Sequence, residues 1–293
     1  MTHPNADLAT FAALRPRLFS IAYRMLGIRA DAEDVVQDAW LRWHGHGQAE
    51  LQSAQAWLVT VTTRLAIDRL RSRKSEREAY VGWWLPEPLV EVDQHTPEAA
   101  AELASDVSVA FLWLLERLSP EERAAFLLRQ VFEQDYANIA AMLEKSEAAC
   151  RQMVHRAHGR VQQEQPRFEI PTSQHQQLLR QFMQAAAGGD RAAMKALLAD
   201  HVQLVADGGG KVPSFGRILQ GAGRIAGTFW SVGHAHPDKV DYRQAFINGE
   251  PGLLRYIAGK VESAQSFIID NGLIVAVFII RNPDKLVSIA PLY

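Results

Sequence analysis

The sequence predicts a multidomain protein, two all-α domains followed by one α+β domain, and three observations carry that reading. In the N-terminal half, apolar residues recur every three or four positions, the spacing that gives a helix one buried face. That half is divided by a connector, 76–105, in which two adjacent tryptophans are followed by two prolines. From about Gln174, two more helical patterns give way to runs of strand character and a hairpin signal. A chain of 293 residues accommodates about two domains, or three if some are small.

Taken in order, Ala6–Met25 places Leu8, Phe11, Leu14, Leu18, Ile21 and Met25 on one helical face, and Pro16 inside it is expected to kink or break the helix. Arg29–Trp43 follows, with Asp31, Glu33, Asp34 and Asp38 near its start, where the helix dipole favours acids. Asp34, Gln37 and Asp38 share an exposed face away from Val35 and Val36, a face suited to a basic or amide-rich partner. After a polar loop, His44–Ser53, a third helix over Ala56–Lys74 buries Leu58, Val61 and Leu65. Between Arg64 and Lys74 it carries Arg64, Arg69, Arg71, Arg73 and Lys74 against Asp68, a local charge of +4. The whole chain has 31 Lys+Arg against 33 Asp+Glu, so nucleic-acid binding has to come from such a local patch. The patch reads either as a phosphate-tracking surface or as a solvated helix end whose basic last turn complements the dipole.

Asp135–Arg160 reads as two helices joined by a tight turn. The first, Ala137–Leu143, carries Ile139, Ala140 and Leu143 at helical spacing. The second starts at Ser146, a good N-cap, buries Ala149, Met153 and Ala157, and turns Arg151, Gln152, His155 and Arg156 outward. This is a helix-turn-helix of the kind that enters a DNA major groove, or else a helical hairpin with a solvated basic face. Arg and Gln suit base reading because their planar heads bridge two groups on a base edge.

The connector centre, Val81–Leu89, has too much proline for a regular helix. Its large apolar side chains are expected to dock on protein, either to cover a neighbouring helical domain or as a peptide for a regulatory surface. Beyond it, a helix over Gln174–Ala187 ends at Gly188-Gly189, and Asp190 caps a second over Arg191–Ala199. Strands are expected at Val202–Ala206, Tyr242–Ile247, Leu253–Val261, Ser266–Ile269 and Leu273–Ile280, with Asp270-Asn271-Gly272 as a hairpin turn. Helices first and a mostly antiparallel sheet afterwards predict an α+β domain.

The segment DAEDVVQDAWLRW, followed by WLVTVTTRLAIDRLRSR, resembles regions 2.2 through 2.4 of extracytoplasmic-function sigma factors, and LSPEERAAFLLRQVFEQDYANIAAMLEKSEAACRQMVHRAHGRV resembles their region 4. The resemblance implies a region 2 helical bundle over 5–75 and a region 4 helix-turn-helix over 106–165. It implies core RNA polymerase as partner, through its clamp helices and flap, with Asp34, Gln37 and Asp38 against the clamp helices. The loop His44–Ser53 and Arg64, Arg69, Arg71 and Arg73 would meet the promoter −10 element, and Ser146, Arg151, Gln152, His155 and Arg156 the −35 element. One departure is Glu144, at a turn where the family usually has glycine.

The tail, 172–293, resembles the SnoaL-like members of the NTF2-like superfamily, whose cone encloses a pocket able to take a small ligand. WLPEPL at Trp84–Leu89, DGGGK at Asp207–Lys211 and NPDKL at Asn282–Leu286 together resemble the signature of sigma factors fused to such a domain, the ECF41 type. The implied regulatory interface comprises Trp84, Leu85, Pro86, Glu87, Pro88, Asp207, Lys211, Asn282, Asp284 and Lys285, with Lys211 and Lys285 as expected partners of Glu87.

Other chemistry finds little support. Asp207–Lys211 lacks the Gly-x-x-x-x-Gly-Lys-Ser/Thr spacing of a phosphate loop, and His234 and His236 have no further ligand pattern nearby, so neither cofactor nor metal is expected. Asp207, Asp241, His234 and Tyr242 could serve as pocket acid or base, but no spacing singles them out. The lone Cys150 reads as a packing residue, compatible with a reducing cytosol. No apolar run reaches membrane-spanning length, and MTHPNADLATFAALRPR lacks a secretory pattern, so a cytoplasmic protein without a membrane partner is expected. The reading is a non-enzymatic alternative sigma factor regulated in cis by its C-terminal domain. Its rival is an NTF2-like small-molecule enzyme or ligand sensor fused to a DNA-binding repressor or activator.

Overall fold

Helix caps and the alternation of buried stripes divide the chain much as the pattern requires. The computed structural model describes residues 4–45, 53–91, 108–162 and 171–292. Two units emerge, one of Met1–Glu78 with Leu114–Glu164 and one of Ala79–Trp113 with Gln165–Tyr293. The connector thus belongs to the C-terminal unit rather than standing between domains.

The first unit is all-α. Helices α1 (Pro4–Leu26), α2 (Arg29–His44) and α3 (Ala54–Ser72) pack on one another through Leu18, Ile21, Met25, Val35, Val36, Ala39 and Leu58, with a short α4 (Lys74–Glu78) after them. Helix α1 runs through Pro16 without a break, contrary to the expected interruption. Burial of Phe11, Leu18, Ile21 and Met25 along the same helix offsets the lost backbone bond. The segment α5 (Val109–Leu115), which lies in the second unit up to Trp113, leads to α6 (Pro120–Gln130), which opens with a capping box between Ser119 and Glu122. Helices α7 (Tyr136–Leu143) and α8 (Glu147–Gln162) then form the hairpin, capped by Asp135 on Asn138 N–H and by Ser146 on Ala149 N–H at 3.2 Å.

The second unit sets α9 (Thr172–Ala187), α10 (Arg191–Ala196) and α11 (Ala222–Ala235) on one face of a seven-stranded sheet. Its strands are β1 (Val90–Glu91), β2 (Leu198–Asp207), β3 (Leu219–Gln220), β4 (Val240–Ile247), β5 (Glu250–Ile257), β6 (Lys260–Asp270) and β7 (Leu273–Ile280), in the order β1-β4-β5-β6-β7-β2-β3. All pairs are antiparallel except β2 with β7. Asn248-Gly249, Ala258-Gly259 and Asn271-Gly272 all have positive φ, the backbone of two-residue hairpins whose twist matches their strands. The expected strand Leu253–Val261 is therefore split at Ala258-Gly259, and the expected helix to Ala199 stops at Ala196 because Leu198 already pairs with Ile274. Helix α11 has no counterpart in the sequence reading. On the helical face Phe182 meets Phe229 and Phe267 edge-on, beside Leu253 and Val277. The opposite face, with Leu254, Phe278 and Ile280, is covered by Trp83, Leu85, Val109 and Trp113.

Candidate nucleic-acid and polymerase interface

Helix α2 positions the expected polymerase residues by its own periodicity. Val35, Val36 and Ala39 are buried, which leaves Asp34, Gln37 and Asp38 exposed together. Asp31 falls on the same stripe as Val35 and Ala39 and is only 3% exposed, a buried acid that needs cations. Arg69 reaches it at 3.0 Å and Asp34 at 3.0 Å, while Arg73 closes on its other oxygen. The bond to Asp31 outweighs the partial burial of Arg69 and raises its pKa further.

The basic stretch of α3 is thus not an open stripe. Arg71 pairs with Asp68 and Glu121, Arg73 also with Glu76, and Lys74 with Glu78. Arg64 Nε donates to the Met142 carbonyl at 2.8 Å, and its Nη2 to the Ala141 carbonyl at 3.1 Å and to Glu144 at 3.0 Å. Those carbonyls are orphans of the last turn of α7, where a cation is favoured. Glu144 itself keeps the turn by taking the left-handed conformation at φ 54° and ψ 45°, at a cost of roughly 1 kcal/mol against glycine. Arg77 with Glu116 and the Leu26 carbonyl, and Arg123 with the Met25 carbonyl at 2.6 Å, complete the ties between the two helical halves of this unit. The loop His44–Ser53 lies mostly outside the described residues.

On α8 the buried stripe is Cys150, Met153, Val154, Ala157 and Val161, close to the expected one but shifted by the inclusion of Cys150 in place of Ala149. Burial pushes the Cys150 thiol up, in keeping with a packing role. Ser146, Arg151, Gln152, His155 and Arg156 are all exposed. Arg151 pairs with Glu147 at 2.9 Å and lies 5.2 Å from the Tyr136 ring centre, with Arg129 at 5.0 Å from the same ring. Arg156 differs: its Nε donates to Glu122, which also receives Arg160.

The three short stretches of the second unit converge on one carboxylate. Asp207 is fully buried at the end of β2, and its oxygens accept from Tyr80 O–H at 2.6 Å, Gly209 N–H at 3.0 Å, Leu85 N–H at 2.9 Å and Lys285 Nζ at 2.7 Å. Lys285 also donates to the Leu85 carbonyl and stands 4.1 Å from the Trp84 ring centre. Lys285 pairs with Asp207, and Lys211 with Asp284. Asn282 donates to Tyr80 at 2.9 Å and packs on Gly209, where an added Cβ would stand 2.3 Å from its Nδ2. That contact and φ 60° explain the glycine. Pro86 and Pro88 are buried, Glu87 is partly buried, and Leu89 accepts from Asn248 N–H at its carbonyl while donating its own N–H to Asn248 Oδ1. An Asp207 with four donors is a structural anchor, not a base poised for chemistry. Tyr80, Asp31, Glu121 and Glu122 have no place among the expected site residues; Asp31 carries a signal in its place on a buried stripe, and Glu122 in the Ser-x-x-Glu spacing of a capping box.

Residues 10–76 match the family model of sigma-70 region 2 and residues 108–159 that of sigma-70 region 4. The chain is 36% identical to the ECF RNA polymerase sigma factor SigJ of Mycobacterium tuberculosis over 95% of its own length and 93% of that protein. It is 28% identical to the probable sigma factor SigI of the same species, covering 98% and 97%. The crystal structure of the SigJ protein superimposes with a TM-score of 0.79 at 34% identity, covering 96% of this chain and 98% of that one.

Proposed function

This chain belongs to the extracytoplasmic-function RNA polymerase sigma factors, and on that premise we propose which of its surfaces perform each part of initiation. Asp34, Gln37 and Asp38 engage the clamp helices of core polymerase, and region 4 sits against the flap. Arg151, Gln152 and His155 face the −35 element from α8, with Ser146 at its N-terminus. Arg64, Arg69, Arg71 and Arg73 serve the −10 element: Arg64 and Arg71 exchange their exposed acid partners for phosphate, while Arg69 and Arg73 stay on the buried Asp31 and add to the charge of that surface. Exposed ion pairs contribute only about 0–1 kcal/mol each, so such an exchange is accessible. The C-terminal unit acts in cis by holding the connector at Asp207 and Lys285, which restrains the tether between the two promoter-binding halves. A surface cavity of about 130 Å³ lined by Gln174, Gln177 and Gln181 offers room for a small ligand, though less than the roughly 300–1,000 Å³ of ordinary sites.

The observation that carries this reading is the exposed acid and amide row of α2. Asp34→Ala with Gln37→Ala should weaken competition for core polymerase while changing stability by about 0.5 kcal/mol or less. A double variant that competes as well as the parent would remove the assignment. Run-off transcription with core enzyme, with and without 170–293, tests the cis role; equal output from both would end it.

A further inference from the structure

Glu122 is buried to 8% exposure in the first turn of α6. Its Oε2 accepts from Ser119 N–H at 3.2 Å, closing the capping box, and from Arg160 Nη1 at 3.0 Å. Its Oε1 accepts from Arg156 Nε at 3.2 Å. Burial pushes this carboxyl up, but the Ser119 N–H, the Arg156 bond and the Arg160 charge outweigh it and hold the pKa below the usual range. Arg156 and Arg160 are one helical turn apart, so a single carboxylate ties two rungs of α8 to the start of α6.

The rotation of α8 gives this tie its meaning. At about 100° per residue, Gln152 lies opposite the buried stripe of Cys150, Met153, Ala157 and Val161, with Arg151 and His155 to one side of it. Arg156 and Arg160 fall on the other side, the side that meets Glu122. We infer that Glu122 is a positioning residue for promoter recognition: it sets the rotation of α8 and withholds Arg156 and Arg160 from DNA phosphate. Base reading then falls to Arg151, Gln152 and His155, and the two flanking cations do not add sequence-blind affinity. A phosphate contact strengthens binding to every sequence alike, so two released arginines would erode discrimination even where they raised affinity.

The inference rests on α8 as the −35 helix, and the test separates the two. Full-length protein in holoenzyme is titrated with duplex promoter carrying an intact or a scrambled −35 element across a salt series. Glu122→Gln keeps an oxygen for Ser119, since Gln also serves a capping box, but removes the charge that holds both arginines. The expected result is a preference for the intact element reduced roughly three- to tenfold, and a slope of log affinity on log salt steeper by up to about 0.9 per released cation. Arg160→Ala should leave the slope at the parental value in the parent background and lower it by about 0.9 in Glu122→Gln. Parental slope and preference in Glu122→Gln overturn the inference. A flatter slope for Arg160→Ala alone also overturns it, and decides the matter even if Glu122→Gln melts below the assay temperature. A parent holoenzyme indifferent to the −35 element would remove the underlying reading along with it.

Discussion

The two units hold their charges in opposite ways. In the C-terminal unit Asp207 is fully buried, Lys285 is 6% exposed, and the carboxylate is saturated by four donors. In the helical unit Arg69 and Arg73 hold the buried Asp31, but Arg64 and Arg71 pair through half-exposed side chains, at 43% and 56%. A buried pair is costly to break because one charge is left without compensation, whereas an exposed pair is readily exchanged. The first is therefore suited to a lasting clamp on the connector. The second suits surfaces that must change partners when polymerase and promoter arrive.

The largest expected effect is at the clamp. Asp207→Ala removes the buried carboxylate that Lys285, Tyr80 O–H and Leu85 N–H share, so it should cost about 3–5 kcal/mol. Thermal melting reads the loss, and limited proteolysis should show faster cutting within Val81–Leu89. A variant as stable and as resistant as the parent would erase the contrast between the units.

Buried charge without such saturation sharpens the same contrast. Burial pushes Glu250 up to about 7 and His175 down to about 4. For Glu250, an acid with a raised pKa, stability is fullest below the unfolded value near 4.5 and falls as pH rises toward 7. For His175 it is fullest above the unfolded value near 6.5 and falls as pH drops toward 4. The two slopes oppose each other between about pH 4.5 and 6.5. Glu250→Gln should unmask the histidine, with stability falling by about 2–3 kcal/mol from pH 6.5 to 4.5 relative to the parent. Chemical denaturation at several pH values checks this, and parallel profiles for parent and variant would contradict it.

A smaller effect belongs to Trp84, which lends a ring face to Lys285. Trp84→Ala should cost about 1–2 kcal/mol and loosen the connector less than Asp207→Ala does. Equal or greater protease sensitivity would place the clamp on the ring rather than the carboxylate. The smallest change is expected at Glu144→Gly, where relief of the left-handed strain is offset by loss of the exposed pair with Arg64. Net stability should shift by less than about 1 kcal/mol. A larger loss would show that pairs in the helical unit are not readily exchanged.

What the sequence determined by itself was local. Helices α1 to α3, the α7–α8 hairpin and the start of α10 follow from spacing of apolar residues and from caps at Ser146 and Asp190, because both the 3.6-residue period and the capping bond span only a few residues. The exposed row Asp34, Gln37 and Asp38 follows from the same period, and the Asn271-Gly272 turn from its own backbone freedom. Helix α11 escaped notice because Gly223, Gly227 and Gly233 lower its propensity, and packing of Ile225, Ala226 and Phe229 on the sheet overrides them. Tertiary structure alone decided the partners of the charges. Lys285 lies 78 residues from Asp207, and Arg64 binds carbonyls 77 and 78 residues away. Periodicity shows which side chains face inward, but an ion pair depends on which distant side chain arrives within about 3 Å of it, and only the packing of whole elements sets that.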